Sequence, residues 1–173
     1  MTPEELRKRQ APFKERYRED PKAAVITMRA TGTLDRAAVV CTVETARETA
    51  RARVAAGLHE AAGGDGLTAC SGDMLMEALA ACAGVTLRAV ATALEIPVTG
   101  GTVTAEGDLD FRGTLAVDRE APVGFRDIRL RFDLQTDASP ERLDSLLKLT
   151  ERYCVVYQTL KNAPPIKLSH RVR

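Results

Sequence analysis

Apolar residues follow two patterns along this chain, and the clearer of the two is helical. Residues 72–95 are apolar on almost every side of a helix through their middle turns, which predicts a long helix that is buried on most faces. Ser71 can cap its start, Asp73 suits its first turn, and Pro97 prevents its continuation. This segment is the clearest predicted element of the sequence.

Shorter segments rich in β-branched residues precede this helix. Residues 23–31 and 37–45 predict the two strands of a hairpin, with a turn from Gly32 to Asp35. Residues 52–59 predict a third strand, and residues 61–71 predict a glycine-rich loop. The loop lacks the Gly-Lys-Ser/Thr sequence of a phosphate-binding loop, so we interpret it as a turn.

Two strands, a second helical stretch and a final strand are predicted after the long helix. The two strands cover residues 98–111 and 124–135, and apolar and charged residues alternate along the second. Ser139 is the predicted N-cap of the helical stretch, which continues to about Lys161, and residues 166–172 are predicted to return as an edge strand. Strands and helices come in groups rather than in strict alternation, which predicts an α+β fold.

Residues 1–22 differ from the domain predicted over residues 23–173. They carry many charges of both signs that nearly cancel, and they predict a helix broken at Pro12 and ended by Pro21. We interpret this segment as a charged N-terminal arm that lies on the surface or on a partner subunit.

Composition excludes several classes of function. The formal net charge of +1 over 173 residues, with no Trp, three Tyr and four Phe, favours neither nucleic acid nor a membrane surface as a partner. No apolar stretch follows the basic residues near the start, as a signal peptide would require. The longest apolar run, residues 78–87, is about half of a membrane span. We therefore expect a cytoplasmic protein.

The cysteines are the side chains of this sequence that are most able to carry out chemistry. With no Cys-x-x-Cys and two histidines in the chain, the spacing predicts neither a metal site nor a bound cofactor. Cys70 and Cys82 are separated by about 18 Å of helix, too far for a disulfide, which needs Cα atoms within about 7 Å. Cys41 is most simply a half-buried strand residue. If the chain contains an intramolecular pair, the sequence favours Cys82 with Cys154.

Each of these two cysteines has two interpretations from its surroundings. Cys82 lies among apolar helix neighbours, which suits a structural cysteine and equally the wall of a pocket for an organic hydroperoxide. Cys154 follows Arg152, and a helix break near residue 153 would place it at a helix N-terminus. Either feature would lower the pKa of its thiol, whereas in a continuous helix it would be an ordinary core residue.

Two segments resemble the OsmC/Ohr family. Residues 71–82, SGDMLMEALAAC, resemble the helix that carries the family's first cysteine. Residues 151–160, ERYCVVYQTL, resemble its C-terminal motif, which is usually close to A-x-x-x-C-P-x-S-x-T-L. The two cysteines are 72 residues apart, as in the family, and the resemblance covers residues 23–172.

The resemblance implies a fold and an activity. The fold would be an OsmC-like α+β domain with a strand hairpin, a long central helix and an antiparallel sheet wrapped on helices, in an intertwined homodimer. The activity would be peroxidase chemistry in oxidative stress defence. Cys82 would attack an organic hydroperoxide and become a sulfenic acid, Cys154 would close a disulfide with it, and an external thiol would reduce that disulfide.

The sequence departs from the family at the groups that support the first thiol. The family's hairpin usually contains Gly-Gly-Arg, whose arginine stabilises the thiolate, whereas this chain has Gly-Thr-Leu at residues 32–34. Arg29 and Arg36 are nearby candidates for the missing cation. Asp73, nine residues before Cys82, stands where the family usually has Glu and would hold that arginine in place.

These departures leave a second function open. The chain could be an OsmC-like dimer without peroxidase activity that binds a small hydrophobic or thiol-containing ligand. The absent hairpin arginine favours this alternative, and the retained cysteine pair favours the peroxidase.

Overall fold

The computed structural model describes residues 1–45 and 53–172. Its helices are α1 (Pro3–Glu19), α2 (Ser71–Ala93), α3 (Phe111–Thr114), α4 (Pro140–Tyr153) and α5 (Val155–Lys161). Its strands are β1 (Ala30–Leu34), β2 (Cys41–Thr45), β3 (Arg53–Gly57), β4 (Ala69–Cys70), β5 (Gly100–Asp108) and β6 (Asp127–Gln135). The α+β class predicted from the sequence is confirmed.

The strands form two sheets. One has the order β1-β2-β3-β4, and the other consists of β5 and β6. The pairs β1–β2 and β2–β3 are antiparallel, whereas β4 lies parallel to β3. The first sheet is therefore mixed rather than wholly antiparallel as the resemblance implies, because the loop after β3 brings the chain back to run in the same direction.

The predicted hairpin is present, but its turn lies later in the sequence. Gly32 pairs with Val43 inside the β1–β2 ladder. A Cβ atom on Gly32 would lie 2.5 Å from Sγ of Cys41, so the glycine makes room for that thiol. The chain turns after Asp35, whose Oδ1 accepts hydrogen bonds from the N–H groups of Ala37 and Ala38 at 2.8 and 2.7 Å. The prediction of a turn from Gly32 was wrong because the Asp35 side chain stabilises the later position.

The chain divides into two compact units. The first contains Met1–Leu6, Ala78–Val103 and Phe132–Arg173, and the second contains Arg7–Glu77 and Thr104–Arg131. The hydrophobic core of the first unit is formed where α2 and the segment after it pack against α4, through Leu87, Ala91, Ile96, Val98 and Leu146.

Helix α2 carries one buried stripe rather than being buried on most faces. Its buried residues recur at every fourth position, which places them on one side of the helix: Leu79, Ala83, Leu87 and Ala91. Val85 on another side is 72% exposed. By length and composition α2 could also cross a membrane, a test that core helices of soluble proteins pass as well. The predicted helix is confirmed, but within one chain Ala78, Ala81 and Val85 remain exposed on it.

Three further predictions differ from the structure. Helix α1 continues through Pro12. Proline has no N–H to donate within the helix, and because α1 is exposed, water can bond to the carbonyl that is left without a donor. Residues 166–172 do not form the predicted edge strand, and Ile166 and Leu168 there are almost fully exposed. A strand needs a partner, and the described part of this chain supplies none for that segment. The short elements α3 and β4 were not predicted.

The core of the first unit provides a stability prediction. Leu146 is completely buried, so we expect Leu146→Ala to lower the free energy of unfolding by about 2–5 kcal/mol, through lost burial and the cavity left behind. The neighbouring Leu147 is 39% exposed, and Leu147→Ala should cost clearly less. Urea unfolding at equal protein concentration measures both, and equal losses would contradict the packing described here.

A candidate thiol redox site

Two thiols meet inside the first unit. Cys82 lies in the middle of α2, and Cys154 lies between α4 and α5. Each thiol is among the groups that shift the pKa of the other, so the two side chains lie close together, and both cysteines are free thiols. The structure therefore brings together the two cysteines that the sequence favours as a pair.

A break in the helical stretch positions Cys154. Its backbone is extended, with φ −73° and ψ 109°. Its N–H donates to the carbonyl of Thr150 at 2.9 Å and closes α4, while its own carbonyl accepts the N–H of Gln158 at 2.9 Å and opens α5. The Gln158 side-chain amide donates to the carbonyl of Glu151, and Lys161 pairs with the Glu151 carboxylate at 2.6 Å. These bonds hold the two helices together across the break.

The break frees backbone donors for the thiols. The first N–H groups of a helix have no acceptor within the helix. The N–H groups of Val155 and Val156 stabilise the thiolate of Cys82, and those of Val156 and Tyr157 act in the same way on Cys154. The start of α5 therefore supplies backbone donors beside both sulfur atoms.

These contacts lower the pKa of Cys82. Burial alone raises the pKa of this partly exposed thiol, because it disfavours the charged form. Hydrogen bonds from the Val156 N–H, the Cys154 thiol, the Val155 N–H and the Thr86 hydroxyl stabilise the thiolate and outweigh that effect. Cys82 is thus the more acidic member of the pair.

At Cys154 the effects that raise the pKa of the thiol outweigh those that lower it. This residue is only 1% exposed, and its burial raises the pKa of its thiol. Hydrogen bonds from Tyr157 and Val156 lower that pKa, but burial and the neighbouring charge of Cys82 dominate. The environment therefore separates the pair into an acidic, accessible thiol and a buried, protonated one.

The resemblance implied a stabilised thiolate at Cys82, and the sequence left the pKa of Cys154 open. The helix break near residue 153 is confirmed, but it lowers the pKa of Cys82 rather than that of Cys154. Burial among apolar neighbours raises the pKa of Cys82, and the hydrogen-bond donors outweigh that effect. Arg152 lies with its guanidinium 5.6 Å from the ring centroid of Tyr153 and is not among the groups that shift either thiol.

The predicted supporting residues belong to the second unit. Arg29 precedes β1 rather than alternating within a strand, Arg36 lies in the turn after Asp35, and Asp73 lies in the first turn of α2. All three are exposed. None of the groups that lower the pKa of Cys82 is an arginine, so this lowering does not depend on a cation. Their supporting roles stay predictions.

The remaining cysteines do not form a second pair. Cys41 is paired with Ala56 across β2 and β3, and Ala56 with Ala69 across β3 and β4, so these three side chains share one face. Cys70 follows Ala69 and therefore points to the other face. Within residues 1–45 and 53–172, no cluster of three or more His, Cys, Asp or Glu side chains could hold a metal ion.

Sequence reasoning missed the backbone donors. Neither the Thr86 hydroxyl nor the N–H groups of Val155 and Val156 were predicted to support the Cys82 thiolate. One signal was present in the sequence: Val155 stands where the related motif usually has proline, and proline has no N–H to donate.

The fold and the site define an α+β protein with a reduced pair of adjacent thiols. The family model described as OsmC-like protein matches residues 63–169, and the chain belongs to that family. None of the curated proteins matches the sequence.

Solved structures share the fold at low sequence identity. An OsmC-like protein from Mycoplasma pneumoniae is 15% identical with a TM-score of 0.64, covering 80% of this chain and 89% of its own. The organic hydroperoxide resistance protein OsmC from Legionella pneumophila is 18% identical with a TM-score of 0.61, covering 80% and 92%. The organic hydroperoxide resistance protein OhrB of Bacillus subtilis is 17% identical with a TM-score of 0.53, covering 81% and 94%.

The donor role of Val155 can be tested with a matched pair of variants. Val155→Pro removes one N–H that stabilises the Cys82 thiolate, so the pKa of Cys82 should rise and its alkylation at pH 7 should slow. Proline suits the first helical position, and Cys154 already has the extended backbone that a following proline requires. Val155→Ala keeps the N–H and should leave the pKa of Cys82 unchanged.

The measurement is the pH dependence of Cys82 alkylation, with the modified peptide identified by mass spectrometry. An unchanged pKa in Val155→Pro, with the fold intact by circular dichroism, would show that this N–H does not support the thiolate.

Proposed function

We propose that this chain is a thiol-dependent peroxidase that reduces organic hydroperoxides, with Cys82 as the attacking thiol and Cys154 as the resolving thiol. The observation that carries the proposal is the proximity of Cys82, a partly exposed thiol with a lowered pKa, to Cys154, a buried thiol with a raised pKa. The thiolate is the nucleophile in such chemistry, and a second thiol within reach is what disulfide formation requires.

The proposed reaction has three steps. The Cys82 thiolate attacks one peroxide oxygen, the O–O bond breaks, and the other oxygen leaves with a proton as the alcohol. Cys82 is then a sulfenic acid, and the Cys154 thiol attacks its sulfur to form the disulfide with release of water. Two electrons from an external thiol reductant restore both thiols. We place this cycle in the cytoplasm, where disulfides are normally kept reduced.

The surroundings of Cys82 favour an apolar substrate. Exposed apolar side chains lie one turn before and after it on α2, at Ala78 and Val85, and the exposed Val155 belongs to the segment that donates to its sulfur. These side chains suit the hydrocarbon part of an organic hydroperoxide better than hydrogen peroxide. The neighbours from Legionella pneumophila and Bacillus subtilis bear the name organic hydroperoxide resistance protein, which agrees with this substrate class.

We also propose that the active form is an intertwined homodimer. Apolar side chains on α2 are exposed in the single chain, at Ala78, Ala81 and Val85, and a second subunit would cover them.

The alternative is a dimer that binds a small hydrophobic or thiol-containing ligand without reducing peroxides. The absence of an arginine at residues 32–34 favours it, because the family's usual cation for the thiolate is missing there. The hydrogen bonds that lower the pKa of Cys82 favour the peroxidase, since they supply the stabilisation by another route.

Titration of the reduced protein with cumene hydroperoxide separates these functions. The wild type should lose two of its four free thiols, whereas Cys82→Ser should lose none. Cys154→Ser should stop at a dimedone-reactive sulfenic acid on Cys82. Substitution of both Cys41 and Cys70 by Ser is the control and should leave disulfide formation intact. A wild type that keeps all its thiols, yet forms the disulfide with diamide, would favour the binding protein.

Sedimentation tests the proposed assembly. We expect a species of twice the 18.7 kDa chain mass at micromolar concentration, with an interface that buries more than about 2,000 Å² in total. Replacement of the exposed Val85 by Asp should weaken this species, whereas Val117→Asp, at a position equally exposed, should not. A stable monomer at micromolar concentration would contradict the dimer.

A further inference from the structure

Thr86 lies four residues after Cys82 on α2, which runs without a break from Ser71 to Ala93. Residues at this spacing lie on one face of a helix, and helical side chains lean toward the N-terminus, so the side chain of Thr86 leans toward Cys82. The Thr86 hydroxyl is accordingly one of the groups that stabilise the Cys82 thiolate. It belongs to a side chain, so a substitution can remove it and leave the backbone donors of α5 in place.

The usual acceptor for the hydroxyl of a helical threonine is a backbone carbonyl one turn earlier. Three threonines of this chain donate to the carbonyl four residues before them, each at 2.8 Å: Thr92 to Arg88, Thr150 to Leu146, and Thr159 to Val155. For Thr86 the carbonyl four residues earlier is that of Cys82. The residue at position 82 therefore offers this hydroxyl two acceptors, its carbonyl oxygen and its sulfur.

We infer that Thr86 is a positioning residue that sets the redox equilibrium of the proposed cysteine pair. Its hydroxyl donates to Sγ of Cys82 while that sulfur is reduced, and it turns to the carbonyl of Cys82 when the sulfur is joined to Cys154 in a disulfide. This inference rests on the proposed function, because it concerns the disulfide of the proposed cycle.

The two redox states offer the hydroxyl acceptors of different strength. A thiolate is ionised, and hydrogen bonds to ionised groups are roughly twice as strong as those between neutral groups. A sulfur in a disulfide is neutral and a weak acceptor. The carbonyl of Cys82 is available in both states, because the helical N–H of Thr86 uses only one of its two lone pairs. The hydroxyl of Thr86 therefore stabilises the reduced protein more than the oxidised protein.

The effect on the equilibrium follows from the balanced reaction with glutathione. Two glutathione thiols supply two electrons, the bond between Cys82 and Cys154 breaks, and the products are two protein thiols and one glutathione disulfide. Cys82 then releases its proton to the solvent and becomes the thiolate that Thr86 stabilises. A group that stabilises the reduced form makes the disulfide a stronger oxidant. Loss of this hydroxyl should therefore shift the equilibrium toward the disulfide.

A matched set of threonine variants tests this role. Thr86→Val removes the hydroxyl at nearly constant volume, Thr86→Ser keeps it, and Thr92→Val is the control. Thr86 and Thr92 are both half-buried on α2, but the Thr92 hydroxyl bonds to the Arg88 carbonyl rather than to a thiol. All variants carry Ser at positions 41 and 70, so that the other two cysteines do not take part.

The measurement is the fraction of disulfide at equilibrium in a series of glutathione buffers, at a pH above the pKa of Cys82 in every variant. The disulfide is first formed with diamide, so the result does not depend on any activity toward hydroperoxides. An equilibrium is also independent of how readily a reductant reaches either sulfur.

We expect Thr86→Val to shift this equilibrium toward the disulfide by about threefold to tenfold, because a hydrogen bond to a charged group is lost. The acid dissociation constant of Cys82, measured from the pH dependence of its alkylation, should fall by the same factor, so its pKa should rise. Thr86→Ser should stay within about twofold of the wild type, since serine keeps the donor. Thr92→Val should leave both quantities unchanged.

The possible failures are distinguishable. Equal equilibria in folded Thr86→Val and Thr92→Val would overturn the inference and leave the proposed peroxidase standing. A higher pKa of Cys82 in Thr86→Val without a shift in the equilibrium would also overturn it, because the hydroxyl would then stabilise both redox states equally. A wild type that forms no disulfide between Cys82 and Cys154 with diamide would overturn the proposed cysteine pair together with this inference.

Discussion

The extended backbone at Cys154 is the constraint on which the site depends. A continuous helix from Pro140 to Lys161 would use the N–H groups of Val155 and Val156 in its own hydrogen-bond ladder. Because the ladder stops at Tyr153 and restarts at Val155, these groups become donors without a helical acceptor, and the two sulfurs accept them. The same break places Cys154 against α2. One local departure from helical geometry therefore creates both the contact between the thiols and the polarity around them.

The two thiols differ because burial and hydrogen bonding act on them unequally. At Cys82, hydrogen-bond donors lower the pKa more than burial raises it; these donors belong to Val156, Val155, Thr86 and Cys154. At Cys154, burial has the larger effect and the pKa is raised. A backbone N–H cannot be lost by changing a side chain, apart from substitution by proline. This provides a physical reason why a chain without the hairpin arginine can still hold an acidic thiol. Val155 is the position at which this can be tested, since proline there would remove one donor.

Periodicity and capping predicted most of the secondary structure, because those signals are local. The helix at 72–95 and the start of the second helical stretch at Ser139 follow from apolar spacing and an N-cap serine, and both are observed. The turn at Asp35 was missed because an aspartate side chain outweighed the glycine signal at Gly32. Burial was harder to predict: the exposure of Val85 on α2 and of Ile166 and Leu168 near the end of the chain depends on tertiary packing, which local periodicity does not determine. The sequence favoured Cys82 and Cys154 as a pair, and the structure places the two thiols close together. The donors that lower the pKa of Cys82 were not predicted, because backbone N–H groups leave little trace in side-chain identity.

The central claim is that hydrogen bonds in the first unit make Cys82 a reactive thiolate toward peroxides. Its most direct test is the second-order rate constant for the first oxidation of reduced protein by cumene hydroperoxide, followed across pH by stopped flow. The account predicts that this rate reaches its plateau at a pH below the ordinary thiol pKa of about 8.5. A rate that keeps rising through pH 8.5, as for an unassisted cysteine, would contradict it.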